Sequence, residues 1–411
     1  MPGTIDRSYS NRVGSMAAGS PVTSPLLRLA AASIALLAAA GCGDEPTAPS
    51  AENPSTSSAL AVSAAALSFR QLSGMWNTCG VTTSNSVYCW GRVPSPRAVG
   101  MQFLQVREGT NFACGLTTTN RVFCWGFNDL GQLGNGSSQS TDVPVELAGG
   151  RRYKQLRVGD SHGCATTIGG VSYCWGLNSD GQLGDGTTIT RRSPVKIASN
   201  LTFVLVSTGR YHTCALSSAK KAYCWGRNAN GQLGIQSSIT QLKPVPVADN
   251  RTFSVVTAGG FHTCGIGLAG KGYCWGWNKY GQLGDGTRSR RSRPTLVAGN
   301  LTFTSLNPGG AHTCGLTASH VAYCWGDNWY GQVGDGTSTS TQPYNQMRLT
   351  PTRVTGGLLF DKIMPAMASM HTCGVTTDSR AYCWGSNAVG QVGDGTTTWE
   401  RPTPTPVVGP E

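Results

Sequence analysis

The sequence predicts an all-β protein, a seven-bladed β-propeller of four-stranded antiparallel blades, and three observations predict it. The first is a repeated cysteine pair with nine residues between partners. It joins Cys79 with Cys89, Cys114 with Cys124, Cys164 with Cys174, Cys214 with Cys224, Cys264 with Cys274, Cys314 with Cys324 and Cys373 with Cys383. The second is the period: from Cys114 to Cys314 the copies recur every fifty residues, after a shorter first interval and before a last one lengthened by nine. The third is composition, with 55 glycines and only 13% charged residues. Glycine supplies positive φ at turns and β-branched residues suit a pleat, so many short strands are expected. Seven copies favour a closed ring over an open stack.

Residues 201–250 serve as the type copy. Leu201–Val206 reads as a β-branched first strand that stops at Gly209. His212–Leu216 is the second strand, and Ala222–Trp225 the third, after a polar turn containing Lys220 and Lys221. Gly231-Gln232-Leu233-Gly234 forms a compact turn, and Pro244–Val247 a fourth strand whose prolines assign it to an edge. Trp225 and Leu216 are expected between neighbouring blades, where a fully buried large apolar side chain contributes about 1.5–3 kcal/mol. Ring closure calls for a strand shared between the two ends or another clasp. The tail, Pro404–Val408, is the expected clasp and Leu60–Val62 a weaker one. The first repeat lacks the Gly-Gln-Leu-Gly turn, running from Trp90-Gly91 directly to Pro94.

Fourteen of the 15 cysteines fall into equal pairs, leaving Cys42 alone. Such pairing points to bridges formed in an oxidising compartment, each contributing about 2–3 kcal/mol if loop entropy governs. The alternative is that the cysteines are small core-facing apolar side chains. Residues 1–41 read as a signal peptide, with an apolar run at 26–41 too short to span a bilayer; Met16 would give a more usual leader length. Residues 42–66, rich in Pro, Ser and Ala, read as a flexible tether, and 67–411 as the propeller.

Two resemblances follow from these residues. Leu36-Leu37-Ala38-Ala39-Ala40-Gly41-Cys42 resembles a bacterial lipobox, with Ala39 where that pattern has Leu. It implies lipidation at Cys42 and attachment to a membrane by acyl chains; an ordinary cleaved leader is the alternative. Gly-x-x-His-Thr-Cys-x-Leu, then Tyr-Cys-Trp-Gly-x-Asn-x-x-Gly-Gln-Leu-Gly-Asp-Gly-Thr, resembles the repeat of the regulator of chromosome condensation family over residues 67–408. It implies a seven-bladed propeller and leaves the activity open. The family's eukaryotic namesake promotes nucleotide exchange on a small GTPase, a role ill-suited to an exported chain.

Residues with chemical potential have simpler explanations. His162, His212, His262, His312 and His371 each stand two before a cysteine, which invites a metal reading. They belong to different blades, however, so each would meet only its own pair, and a turn-tying role is expected. Asp185, Asp285, Asp335 and Asp394 begin Asp-Gly-Thr segments that read as turns rather than calcium loops. No nucleophile with its base, carboxylate pair or phosphate loop stands out, so the chain reads as a non-enzyme without metal or cofactor.

Parity places the Gly-x-x-His turns and the Trp-Gly-x-Asn-x-x-Gly loops on one face. The variable positions there hold Tyr211, Phe261, Trp277, Lys279, Tyr280, Trp329 and Tyr330, together with Trp76, Phe127 and Met370. Arg288, Arg290, Arg291 and Arg293, and the insertion around Thr341 to Leu349, extend from the same loops toward the rim. Exposed aromatics and arginines are what interfaces use as anchors. The alternative is that the rings pack on neighbouring loops and the arginines are merely solvated.

Formal charge is +12; residues 1–41 hold Arg7, Arg12 and Arg28 against Asp6, which leaves +10 for the rest. A basic surface suits an acidic protein or envelope polysaccharide, and export argues against nucleic acid. The expectation is therefore a monomeric lipoprotein of a bacterial cell envelope, or an extracellular protein, that binds a protein through one face. An inhibitor of an extracellular enzyme is a concrete subclass, as in a secreted β-lactamase inhibitor whose propeller this one resembles. Carbohydrate or cell-wall recognition is the alternative class.

Overall fold

Strand, turn and strand repeat down the chain in the computed structural model, which describes residues 67–75, 77–91, 101–339 and 347–408. The leader, the tether, Cys42, Trp76 and residues 341–346 of the insertion lie outside these described residues. The protein is a seven-bladed propeller of antiparallel blades. Blades 2 to 7 each contain four strands; blade 1 shows three among the described residues, Phe69–Gly74, Thr78–Thr82 and Val87–Trp90. Blade 4 is representative, with Phe203–Thr208, His212–Ser217, Ala222–Gly226 and Gln241–Pro246 paired in that order. The proline-bearing strand is the outer edge, where the missing N–H costs no ladder bond.

The first strand of every blade lines a central channel of about 630 Å³. All seven cysteine pairs are disulfides between directly opposed residues of the second and third strands, with Cα atoms 4.0 or 4.1 Å apart. In chain order they bridge Cys79 to Cys89, Cys114 to Cys124, Cys164 to Cys174 and Cys214 to Cys224. Cys264 to Cys274, Cys314 to Cys324 and Cys373 to Cys383 complete the set. The expected pairing and the core-facing alternative therefore both hold, in the same side chains. From Cys114 and Cys124 of blade 2 to Cys373 and Cys383 of blade 7, twelve of these cysteines sit in the middle of the core clusters between blades. The bridge and the apolar packing are one feature.

Trp175, Trp225, Trp275, Trp325 and Trp384 are fully buried. Each packs against the turn of the preceding blade. The indole N–H of Trp225 donates to the Gln182 carbonyl at 3.0 Å, as Trp175 does to Gln132 and Trp325 to Gln282. Gly184 lies directly on the Trp225 ring with φ +71°, and a Cβ there would fall 2.5 Å from the indole nitrogen. Only glycine meets both conditions.

The ring closes without a shared strand among the described residues, which corrects the expectation that the tail acts as a clasp. Glu400–Pro406 pairs with Ala381–Ser386 of its own repeat. Blades 7 and 1 instead meet through the contacts used elsewhere: Trp90 donates to the Gln391 carbonyl at 3.1 Å, and Phe69 N–H to the Ser379 carbonyl at 2.8 Å. Packing of Phe69 and Leu72 on Val375 and Val392 completes the seam.

Candidate functional site

The fixed positions of the repeat are committed to the fold. Asn228 is fully buried; its Oδ1 accepts from Leu233 N–H at 3.0 Å and its amide donates to the Ser237 and Ile239 carbonyls. Gln232 Oε1 accepts from Asn230 N–H. The loop spends the Asn228 amide and the Gln232 Oε1 on its own backbone, so residues at its free positions are left to face outward.

The histidines also belong to the scaffold, in a different way from the expected one. Each reaches the next blade rather than only its own turn. His212 Nε2 lies 2.8 Å from Thr263 Oγ1, and the same rung joins His162 to Thr213, His262 to Thr313, His312 to Thr372 and His371 to Thr78. The Thr263 hydroxyl donates to the Gln232 carbonyl at 2.8 Å, so it accepts from His212, which fixes the neutral Nε2–H tautomer. Burial holds these five histidines down to about 3, with help from neighbouring imidazoles at His212, His262 and His312. They are uncharged structural donors.

The Asp-Gly-Thr carboxylates are equally occupied. Asp285 accepts from Thr287, Asn278 and Arg291, and matching pairs join Asp185 to Arg191, Asp335 to Arg348 and Asp394 to Arg401. Burial pushes Asp285 up, but these donors outweigh it and hold the carboxyl below its ordinary value. Arg291 is thereby tied to its own turn at 2.8 Å, with its side chain still about a third exposed.

The remaining aromatics form two groups. In the first, Tyr211, Phe261, Trp277 and Tyr280 make a continuous run over blades 4 and 5, with ring centroids 6.1, 5.6 and 5.3 Å apart in sequence. Phe261 sits in a Gly-x-x-His turn and Trp277 in the loop after the third strand, so their contact puts both loop types on one face. Arg210 and Arg227 lie over the Tyr211 ring and Lys279 over Tyr280. A groove of about 540 Å³ opens beside Trp277, lined also by Asn230, Lys279, Arg288 and Arg290. Arg288 donates to the Lys279 carbonyl, and Arg290 to the Ala229 carbonyl of the preceding blade, which sets both guanidiniums along this groove.

The second group lies on blades 6 and 7, where Trp329 is 46% exposed and Tyr330 stacks 5.7 Å from Trp399, itself 59% exposed. Asp327 is buried below Trp329 and accepts from its N–H; burial raises the carboxyl to about 7. Trp399, Arg210 and Arg227 were not among the sequence candidates. Trp399 follows the Asp-Gly-Thr of the last copy, Arg227 occupies the same variable position as Trp277, and Arg210 stands at the free position beside Tyr211, so the signal was present. Phe127 is half exposed and apart from both groups, and Met370 Sδ accepts from Gln332. Arg293 is exposed.

A family model for the RCC1-like domain matches residues 92–411. The chain belongs to the RCC1-like domain family, whose propellers serve as protein-interaction modules. Among solved structures it is similar to yeast RCC1 (Prp20) bound to Kap60, at 21% identity over 75% of each chain with a TM-score of 0.66. Human WBSCR16 is similar at 19% identity over 79% of this chain and 85% of that one, with a TM-score of 0.67. The ectodomain of the receptor kinase CR4 from Physcomitrella patens is similar at 24% identity, covering 78% and 74%, with a TM-score of 0.53. No curated protein sequence matches the chain. At these identities the structures establish the shared fold.

Proposed function

We propose that this protein is a lipid-anchored component of a bacterial cell envelope whose propeller captures a protein partner, acidic in character, on the face that carries Tyr211, Phe261, Trp277, Tyr280, Arg288 and Arg290. One observation carries the reading: the fixed positions of the repeat are consumed by the fold, whereas the free ones assemble four contiguous rings beside a basic groove. Aromatic rings flanked by arginines supply large rigid contact area at low entropic cost, and rim charges speed encounter with an anionic surface. Two relatives support it: yeast Prp20p is characterised by its binding to Gsp1p and histones, and another RCC1-like propeller forms a receptor ectodomain. Seven disulfides favour export, and Cys42 supplies the anchor. An inhibitor of an extracellular enzyme is the concrete form of such a module.

Carbohydrate recognition is the second reading, favoured by the exposed indoles of Trp329 and Trp399, whose faces suit sugar rings. Replacing Trp277, Tyr280, Trp329 and Tyr330 by Ala decides between the two. Capture of an envelope protein should be abolished with the melting temperature nearly unchanged; glycan-array binding lost through the same variant would overturn the protein-partner reading. Mass spectrometry of the mature chain should show a diacylglycerol adduct on Cys42 and no free thiols; an unmodified Cys42 rules out the anchor.

A further inference from the structure

Along the channel wall, the fifth residue of each first strand occupies an equivalent place. Blades 1 to 4 put Ser73, Arg107, Arg157 and Ser207 there in consecutive order. Two guanidiniums thus stand side by side, half-buried, between two hydroxyls.

Neither arginine has a carboxylate partner among the described residues. Arg157 donates to the Leu156 carbonyl at 2.9 Å, and the buried Nε of Arg107 has no acceptor. The nearest acid in sequence, Glu108, borders both the channel and the small cavity behind it, with Oε1 2.7 Å from Cys79 Sγ. A bridged sulfur has no proton to give, so the carboxylic acid is the donor in that contact, and burial indeed raises Glu108 well above its ordinary value. Burial thus disfavours negative charge at this edge of the wall. Arg107 is held down to about 9 by burial first and then by the Arg157 charge, which places the two cations within each other's field.

The hydroxyls point to the same ligand. Ser73 Oγ accepts from Glu108 N–H and Ser207 Oγ from Ala258 N–H, both at 3.0 Å, and neither hydroxyl proton has a protein acceptor among the described residues. The described lining also carries Asp361 of blade 7, which pairs with Lys362, so donors and positive charge are in excess around Arg107 and Arg157. Paired guanidiniums flanked by hydroxyls are complementary to a tetrahedral oxyanion, which accepts several hydrogen bonds and cancels the like-charge repulsion.

We propose that the central channel holds a small polyvalent oxyanion of the phosphate or sulfate class, bound by Arg107 and Arg157 with Ser73 and Ser207 as flanking donors. The anion joins blades 1 to 4 across the channel. Inorganic phosphate is the probe. Titration of the full chain in a calorimeter at constant ionic strength should show saturable binding in the micromolar to low millimolar range. Each of Arg107→Gln and Arg157→Gln should weaken binding at least about tenfold, since one pair of charged hydrogen bonds is removed. Phosphate should raise the melting temperature of the parent chain saturably and that of the double variant not at all. In chloride at low salt the double variant should melt no lower than the parent, because repulsion between the two charges is relieved. Absence of saturable phosphate heats in the parent chain overturns the proposal, as does undiminished binding in either folded single variant. If a variant fails to fold, the parent titration alone decides against the site when it shows no binding up to about 10 mM, and competition by sulfate at equal ionic strength supports it.

Discussion

The seams of blades 4, 5, 6 and 7 and the seams on either side of blade 2 are built from the same repeat and held together differently. Between blades 4 and 5, one hydroxyl, that of Thr263, accepts from His212 and donates to Gln232, while the blade-5 tryptophan lies over the same turn. Between blades 1 and 2 only the tryptophan, Trp125, remains. Asn77 replaces the histidine, Ala113 the threonine, and the first copy has no Gly-Gln-Leu-Gly turn. A small cavity remains there, lined by Asn77, Cys79, Cys89, Glu108, Phe112 and Trp125, and a buried carboxyl occupies its edge. Between blades 2 and 3 both halves are again replaced: Phe112 stands in the histidine slot with its ring over Gly109, and Gly163 stands in the threonine slot against the Trp175 ring. The lesson is that a propeller tolerates loss of a polar rung provided both halves are lost together, since a buried donor left alone is costly.

Acid should break the regular seams first and most severely. The five imidazoles are uncharged in the fold and held to about 3, against about 6.5 in an unfolded chain, so the folded state binds fewer protons between those values. Stability is fully present above pH 6.5 and is lost as pH falls, by up to about 1.4 kcal/mol per pH unit for each rung. Circular dichroism should show a steep loss of structure between pH 6 and 3, and His212→Asn, which copies blade 1, should shallow the slope; a flat profile to pH 4 contradicts the rung. Next in size, Trp225→Ala should cost about 3–5 kcal/mol in urea unfolding, because a fully buried indole and its bond to Gln182 both disappear. A loss under 1 kcal/mol would mean that the seam repacks.

Thr263→Val keeps the shape and strands both the His212 N–H and the Gln232 carbonyl, so about 1–3 kcal/mol should be lost. An unchanged denaturation midpoint would show the rung to be idle. The smallest effect is expected at the irregular seam and has the opposite pH dependence. Glu108, raised above its ordinary value, binds a proton in the fold that it releases when unfolded, so stability falls as pH rises above about 4.3. Glu108→Gln should remove that decline and melt higher than the parent at pH 8; equal melting temperatures at pH 8 would refute a neutral carboxyl.

How much was legible follows from range. Strand order, edge strand, disulfide pairing and the buried tryptophans all lie within one copy, so a single repeat discloses them. The His–Thr rung joins residues 51 apart, and it is visible only when adjacent copies are compared. Asp and Arg, too, occur or vanish together: Asp285 comes with Arg291, whereas Asn135 precedes Thr141 and Ile235 precedes Gln241. The tie between Arg291 and the carboxylate six residues earlier is therefore legible only when copies with and without the pair are compared. Arg107 and Arg157 carry no local sign at all. Each is an unremarkable alternate residue of a strand, and only the curvature of the ring turns two such residues into neighbours.

The join between the last blade and the first has a consequence for where the polypeptide may start and stop. Since His371 with Thr78, and Gln391 with Trp90, do there what their counterparts do at continuous junctions, the covalent break is incidental to cohesion. Joining Val408 to Leu67 with a short linker and cutting instead between two other sheets should give a rearranged chain that still assembles.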